Sequence, residues 1–252
     1  MAATGEKQPK YRKIADALRA AIESGQYRAG DRLPGENDLM DTYGVARMTA
    51  RQALGVLQAE GLAEARKGSG VFVREFLIRI GRRSIQRLAE GQWGSGRSIW
   101  SADIENRTLV VDQVAVSEQP APELIAGVLG MEPGEASCVR HRRFVLDGKP
   151  VLLSTSHLPA SLVAGTAITQ PDTGPGGSYA RLAEIGAKPV HFREEIRSRM
   201  PTQEESARLE LSAGTPVVLV CRTAYAAGGR AVEVNEMVLD AASYVLEYDF
   251  DA

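Results

Sequence analysis

Residues 45–61 combine a cationic start with an apolar helical stripe, and this combination most restricts how the chain can fold. Four apolar residues recur at the 0, 3, 4 and 7 spacing of a helix that packs against other elements. They are Ala50, Ala53, Leu54 and Leu57. Outside that stripe lie Arg47, Thr49, Arg51 and Gln52. The segment predicts a helix that buries one side and presents guanidinium, hydroxyl and amide groups on the other.

Two more helices and a hairpin are predicted around this one. The first helix carries an apolar stripe from Tyr11 to Ile22 and ends at Gly25. A second short helix follows Pro34 and ends at Gly44. After Gly61, two short apolar runs flank the turn RKGSG, which is typical of a hairpin with a basic tip. Three helices followed by such a hairpin describe a winged helix-turn-helix, in which the third helix enters the major groove of DNA.

Charge is distributed unevenly along the 252 residues. The formal net charge is −2, but residues 1–97 carry 17 Lys and Arg against 11 Asp and Glu, whereas the rest carry 13 against 21. A basic first part favours a polyanionic partner for that part alone. Arg47 and Arg51 suit this role because a planar guanidinium can chelate guanine or hold a phosphate, and Thr49 is short enough for a close contact.

The stretch YRKIADALRAAIESGQYRAGDRLPGENDLMDTYGVARMTARQALGVLQAEGLAEARKGSGVFV resembles the DNA-binding domain of GntR-type bacterial transcription regulators. The resemblance implies DNA contacts by residues of the DRLP segment, the third helix and the wing. These are Arg32, Arg47, Thr49, Arg51, Lys67, Gly68, Ser69 and Gly70. The chain departs from the family at Gly35 and Ala46, where a serine or threonine is usual.

The second part of the chain predicts alternating strands and short helices. Six strands are expected, at 108–116, 136–146, 151–158, 190–200, 216–226 and 231–239, with DG and GG turns between neighbours. Neighbouring hairpins imply a mainly antiparallel sheet with helices packed on it, and so an α+β fold. We expect a DNA-binding domain at 1–75, a linker at 76–97 and a second domain at 98–252.

Two pairs of polar residues share a face of neighbouring strands in this part. Residues two apart in a strand point the same way, so Arg140 lies with Arg142 and Ser154 lies with Ser156. Guanidinium groups beside hydroxyls form a plausible cradle for a phosphate or carboxylate. The alternative is a solvated sheet face paired with Asp or Glu. Tyr179 is expected either to stack on a ligand or to pack in the core.

Stretches such as LDGKPVLLSTSHLP and GTPVVLVCRTAYAAGGRAVEVNEMVL resemble the UTRA effector-binding domain of the HutC branch of GntR regulators, and the whole sequence is similar to actinobacterial members. The resemblance implies a chorismate-lyase-like sheet that binds a small molecule and dimerises. It also implies hydrogen bonds to the effector from Ser156 and Glu233. Ser154 and Leu239 replace the acidic residue and tyrosine of phosphosugar-binding members, which disfavours a phosphosugar.

The sequence predicts a homodimeric, ligand-responsive regulator, more a repressor than an activator, on an inverted-repeat operator. An enzyme of lyase-like fold and a ligand-independent DNA-binding dimer are the alternatives. His141, His157 and His191 show no metal or catalytic spacing, and the GPGG loop at 174–177 lies outside a phosphate fingerprint. No metal or cofactor is predicted. The two cysteines are expected to be buried free thiols rather than a disulfide, and together with the lack of a signal peptide or an apolar run of eighteen they favour the cytoplasm.

Overall fold

The chain divides into two units, each with its own core. A computed structural model describes residues 8–75, 80–96, 98–100, 104 and 107–249. The first unit comprises residues 1–77 and 211–215, and the second comprises 78–210 and 216–252.

The first unit is built on three helices that meet through their apolar stripes. They are α1 (Lys10–Glu23), α2 (Glu36–Tyr43) and α3 (Arg47–Ala59). The four residues of the α3 stripe are all buried, and they pack with Ile14, Leu18 and Leu39. This core fixes α3 through its underside and leaves Arg47, Met48, Arg51 and Gln52 exposed near the start of the helix.

A two-stranded hairpin completes the unit. Strands β1 (Ala63–Arg66) and β2 (Gly70–Val73) pair antiparallel, and Arg32 bridges to Phe72 on the other side of β2. Gly68 and Gly70 have φ of 75° and 114°, so the turn uses backbone that favours glycine. Three helices and this hairpin form the predicted winged helix-turn-helix.

The second unit is organised around a six-stranded antiparallel sheet of order β4-β5-β6-β9-β8-β7. Its strands are β4 (Leu109–Pro120), β5 (Ala136–Leu146), β6 (Lys149–Pro159), β7 (Pro189–Arg199), β8 (Val217–Ala226) and β9 (Ala231–Asp240). Two further strands, β3 (Ile80–Arg83) and β10 (Tyr244–Glu247), form a separate parallel pair. The helices are α4 (Ser84–Arg87), α5 (Glu90–Trp93), α6 (Glu123–Leu129), α7 (Ala160–Val163), α8 (Gly177–Glu184) and α9 (Gln203–Arg208). The predicted α+β class and mainly antiparallel sheet are confirmed.

The strand register aligns five polar side chains in one row across the sheet. Arg140 pairs with Ser156, Ser156 with Asn235, Asn235 with Arg222, and Arg222 with Glu194. Because side chains alternate between faces, all five point to the same face of the sheet. This row determines where a polar site can form inside an otherwise apolar domain.

The segment expected as a linker contributes structure to the second unit where it is described. Strand β3 pairs with β10, and the apolar side chains of Ile80, Leu88 and Trp93 are buried in the second unit's core. Short elements of four residues carry too little periodicity to be recognised in the sequence. The described residues 80–96 are therefore packed parts of that unit, whereas residues 76–79 and 97 lie outside the described residues.

Within the residues that the structure describes, no helix is both long and apolar enough to cross a membrane. Both cysteines carry free thiols, Cys138 buried and Cys221 half-buried.

Leu57→Ala tests the contribution of the α3 stripe to stability. Leu57 is fully buried, so its truncation should lower the free energy of unfolding of the first unit by about 2–5 kcal/mol. Denaturant titration followed by circular dichroism measures the change. Met48→Ala on the same helix is the matched control, because the Met48 side chain is 67% exposed and should change stability by under about 0.5 kcal/mol. Equal losses in the two variants would contradict the role of the stripe.

Candidate functional site

The exposed first turn of α3 is organised by a carboxylate from α2. Arg51 donates from Nε to Glu36 Oε1 at 2.6 Å and from Nη2 to Glu36 Oε2 at 3.1 Å. The hydrogen bonds from Arg51 lower the pKa of Glu36, so this carboxyl is ionised at neutral pH. The Arg51 side chain nevertheless stays 60% exposed, so Glu36 orients the guanidinium without covering it.

The other predicted contact residues of α3 lie beside this pair. Arg47 donates to Asn37 Oδ1 at 2.9 Å, and its Nε lies 3.9 Å from Glu36 Oε2. Gln52 is exposed and Thr49 is half-buried. The helix begins after Ala46, which provides no side-chain cap, so no side-chain oxygen of Ala46 competes for the first amides of the helix.

The wing and Arg32 form a second cationic surface on the first unit. Lys67, Gly68 and Ser69 are exposed at the turn. A Cβ placed on Gly70 would lie 3.0 Å from Arg32 Nε, so the missing side chain lets the guanidinium lie against the wing backbone. The structure thus places Arg32 with the wing, and places Arg47, Thr49, Arg51 and Gln52 together on α3.

In the second unit, one sheet face and the loop before α8 enclose a cavity of about 510 Å³. It is lined by the predicted residues Arg140, Arg142, Tyr179 and Glu233. Further lining residues were not predicted. They include Trp100, Phe144, Arg222, Asn235 and the loop residues 171–178.

Arg140 anchors the loop that closes the cavity. Its Nη1 donates to the carbonyls of Ile168 and Gln170, and its Nη2 donates to the carbonyl of Pro171 at 3.0 Å. Burial lowers the pKa of Arg140. Only Nε of this guanidinium lacks a hydrogen-bond partner among the described residues, so Arg140 chiefly shapes the wall.

Arg142 presents its charge to the cavity more directly. It donates from Nη2 to Ser156 Oγ at 2.7 Å, and its guanidinium lies over the Trp100 ring at 5.6 Å. Burial lowers the pKa of Arg142 to about 10, so the group remains charged at neutral pH. Its Nε has no partner among the described residues and is available to a ligand.

The two predicted serines act behind the cavity wall, since neither lines it. Ser156 accepts from Arg142, as described above. Ser154 donates to Asn235 Oδ1 at 2.9 Å, which fixes the amide so that Nδ2, buried and without a described partner, serves as a donor. The serine that replaces the family's acidic residue therefore adds a donor to the cavity through Asn235.

Tyr179 and Glu233 complete the polar lining. Tyr179 is buried and packs on Trp93 and Phe192, with ring centroids 6.0 and 5.3 Å apart, so it belongs to the core as well as to the cavity. Burial raises its pKa, so its hydroxyl stays protonated. Glu233 is 2% exposed, and its Oε2 has no partner among the described residues.

The sequence did not predict that Arg222, Asn235 and the GPGG loop line the cavity. Arg222 is 1% exposed, and its Nε and Nη1 lack hydrogen-bond partners within the described part of the chain. A charged residue at an inward position of the apolar run VVLVCRTAYA was the available signal. The loop gave none, because its place beside β5 and β8 is set by the tertiary fold.

The cavity therefore carries more donors and positive charge than acceptors. Three guanidiniums face one buried carboxylate, and buried charges without partners are unfavourable unless a ligand satisfies them. A molecule with an oxyanion for the arginines and a hydroxyl or amine for Glu233 matches these groups. Among the described residues, no group of three or more His, Cys, Asp or Glu is placed to hold a metal.

Comparison with known proteins finds matches over both units. Residues 10–73 match the bacterial regulatory proteins of the gntR family, and residues 105–244 match the UTRA domain. An HTH-type transcriptional regulator of Streptomyces coelicolor is 30% identical over 97% of this chain and 93% of its own length. The mannosyl-D-glycerate transport/metabolism system repressor of Escherichia coli is 27% identical, with 94% of each chain covered. A crystal structure of a GntR-family transcriptional regulator covers 97% of this chain and 98% of its own with a TM-score of 0.67 at 29% identity.

Arg142→Met tests the anion-binding capacity of the cavity. The change removes a half-buried charge and its unpartnered, buried Nε, so affinity for inorganic phosphate should fall at least about tenfold in isothermal titration calorimetry. Arg143→Met is the matched control, because Arg143 points to the opposite face and pairs with Asp112 at 2.7 Å. Unchanged phosphate affinity in Arg142→Met, or an equal loss in both variants, would contradict this site.

Proposed function

Because the chain belongs to the GntR family of bacterial regulators and carries a UTRA domain, we propose that it is a homodimeric repressor released from its operator by an anionic small molecule. The observation that carries this proposal is the pairing of two kinds of site in one chain. The first unit exposes the guanidiniums of Arg47 and Arg51 on α3 and the ammonium of Lys67 on the wing, and the second places guanidiniums around a cavity.

DNA recognition is assigned to the exposed residues of the first two turns of α3. Arg51 and Arg47 are exposed there, and the bidentate contact with Glu36 holds the fork of Arg51 in one orientation before DNA arrives. A preset guanidinium loses less freedom on binding, which favours recognition of a base edge over a loose phosphate contact. Arg32 and the wing residues Lys67–Gly70 are assigned to the backbone or the adjacent groove.

The effector is assigned to the cavity of the second unit. Its unpartnered donors favour a ligand with phosphate or carboxylate oxygens, and Glu233 favours a hydroxyl or amine on the same molecule. These unpartnered donors also favour a ligand-responsive regulator over a ligand-independent dimer, because a buried donor without a hydrogen-bond partner lowers stability.

A regulator is favoured over an enzyme by the position of the histidines. His141 contacts Thr155 across strands, on the face opposite Arg140 and Arg142. His157 lies on that same opposite face, and its Nε2 is 3.6 Å from Glu236 Oε2. None of the described residues that line the cavity is a histidine, the side chain most often used in general acid–base chemistry. A cytoplasmic location completes the proposal, because the DNA partner is there.

The β7 edge of the sheet is the favoured dimer surface. The other edge, β4, is interrupted by a bulge at Asp112/Ala115 with Gln113 at φ 48°, whereas β7 runs continuously after residue 191 and exposes Ile196. A second copy laid antiparallel about Ile196 would place Ile196 opposite itself and Glu195 opposite Arg197 on both sides. Such a two-fold pairing matches two similar operator half-sites.

Arg51→Ala tests the assignment of base recognition to α3. If the guanidinium reads a base, its loss should weaken specific operator binding by about 1–3 kcal/mol and relax specificity at one position. The operator is first selected from a randomised duplex pool, and affinity is then measured by gel-shift titration.

Two further variants serve as controls for the Arg51→Ala measurement. Arg230→Ala removes an exposed arginine of the second unit and should leave operator affinity unchanged. Glu36→Gln keeps Arg51 but removes its carboxylate partner, so it should raise affinity for random duplex and steepen the salt dependence. Wild-type affinity and specificity in Arg51→Ala would refute the recognition role.

Ile196→Arg tests the dimer surface. A charge opposite its own copy should convert the dimer into a monomer at micromolar concentration, as measured by light scattering after size exclusion. Val110→Arg makes the same change on the β4 edge, where Val110 is 50% exposed, and should leave the dimer intact. A monomer produced by Val110→Arg but not by Ile196→Arg would move the interface to the other edge.

A further inference from the structure

One carboxylate behind the effector cavity is shared by two buried arginines. Glu194 Oε1 accepts from Arg82 Nη2 at 2.5 Å and lies 3.9 Å from Arg222 Nη1. The side chains of all three residues are at least nine-tenths buried. Arg222 lines the cavity, whereas Glu194 and Arg82 do not, so the three residues connect the cavity wall to a position behind it.

Burial and two neighbouring arginines have opposite effects on the pKa of Glu194. Burial by itself would raise the pKa of Glu194, but the charges of Arg82 and Arg222, together with hydrogen bonding to Ser84 and Arg82, outweigh burial and lower it, so the carboxylate is ionised. The 3.9 Å separation from Arg222 exceeds a hydrogen bond. Arg222 is therefore held by Glu194 only through charge, and its Nε and Nη1 have no hydrogen-bond partner in the described parts of the chain.

Arg82 links this carboxylate to a particular strand. It lies in β3, where it is paired with Leu246 of β10, and no part of its side chain is exposed. Strand β3 begins at Ile80, three residues along the chain from the end of the DNA-binding unit at residue 77. A change in the Arg82–Glu194 pair therefore acts on the first described strand that follows that unit in sequence.

On the premise that the proposed regulator responds to an anion, we propose that Glu194 and Arg82 are positioning residues that transmit occupancy of the cavity to strand β3. An anion in the cavity draws Arg222 toward itself, because the two free donors of Arg222 gain partners there. Arg222 then attracts Glu194 less, and the Arg82–Glu194 pair tightens and fixes β3. By reciprocity, loosening of β3 weakens the anion site.

Hydrogen exchange of the β3 amides in the full-length protein tests the proposal, with inorganic phosphate as the probe. In the wild type, saturating phosphate should slow exchange across residues 80–83 by about threefold or more. Glu194→Gln should still bind phosphate by calorimetry, but its β3 amides should not respond. Glu132→Gln is the matched control, because this exposed carboxylate lies outside the cavity and the proposed dimer strand and should respond as the wild type does.

A double variant separates positioning from mere structural support. Replacing a buried ion pair by apolar side chains often preserves stability. The double variant Arg82→Met, Glu194→Met should therefore keep the thermal stability and the β3 amide protection of the wild type. Its β3 amide exchange should nevertheless not change when phosphate is added. Arg222→Gln imitates withdrawal of Arg222 and should slow β3 exchange without any ligand. A normal phosphate response in the double variant or in Glu194→Gln would overturn the proposal.

The same experiment distinguishes failure of this proposal from failure of the proposed function. If phosphate binds the wild type with no change at β3, the positioning role is wrong and the anion cavity stands. If phosphate does not bind, or binds Arg142→Met equally well, the anionic effector is wrong. The positioning role is then decided by Arg222→Gln alone, where unchanged β3 exchange overturns it.

Discussion

The burial of guanidinium groups against one face of the sheet is the constraint on which the second unit depends. Arg82, Arg140 and Arg222 are buried and Arg142 is half-buried in a largely apolar interior, where an unpaired charge is strongly unfavourable. The chain offsets part of this cost with Glu194, Glu233 and the carbonyls of the loop that Arg140 holds. The remaining donors have no described partner, and these unpaired donors are the basis of the proposal that the effector is an anion.

In the first unit, by contrast, the arginines of α3 are exposed rather than buried. Its arginines on α3 stay exposed, where water and salt screen their charge, and the contact with Glu36 adds orientation more than stability. Exposed guanidiniums can be transferred to DNA at little cost, whereas buried guanidiniums must be satisfied where they lie. In the proposed function one residue type serves two kinds of recognition, because the two units place it in different dielectric surroundings.

The fold was largely predictable because its signals are local. The stripe of α3, the glycine-rich wing turn and the Asp147–Gly148 hairpin each depend on residues near one another in sequence, and the β5 strand was predicted with its observed ends. Strands β3 and β10 were missed because each is four residues long and finds its partner more than 150 residues away. Arg140 was assigned to a cradle, but its contacts with three loop carbonyls give it mainly an anchoring role.

The sequence by itself determined the two-part organisation, the winged helix-turn-helix, the antiparallel sheet and the arginines of β5, because periodicity and turn chemistry are written in short segments. Only the tertiary structure decided which polar residues share the cavity. The row from Arg140 to Glu194 crosses five strands whose register is set by long-range pairing. Only that register brings Arg222 of β8 and Asn235 of β9 to the cavity wall, and sets Glu194 between Arg222 and the Arg82 of a strand that the sequence pattern does not reveal.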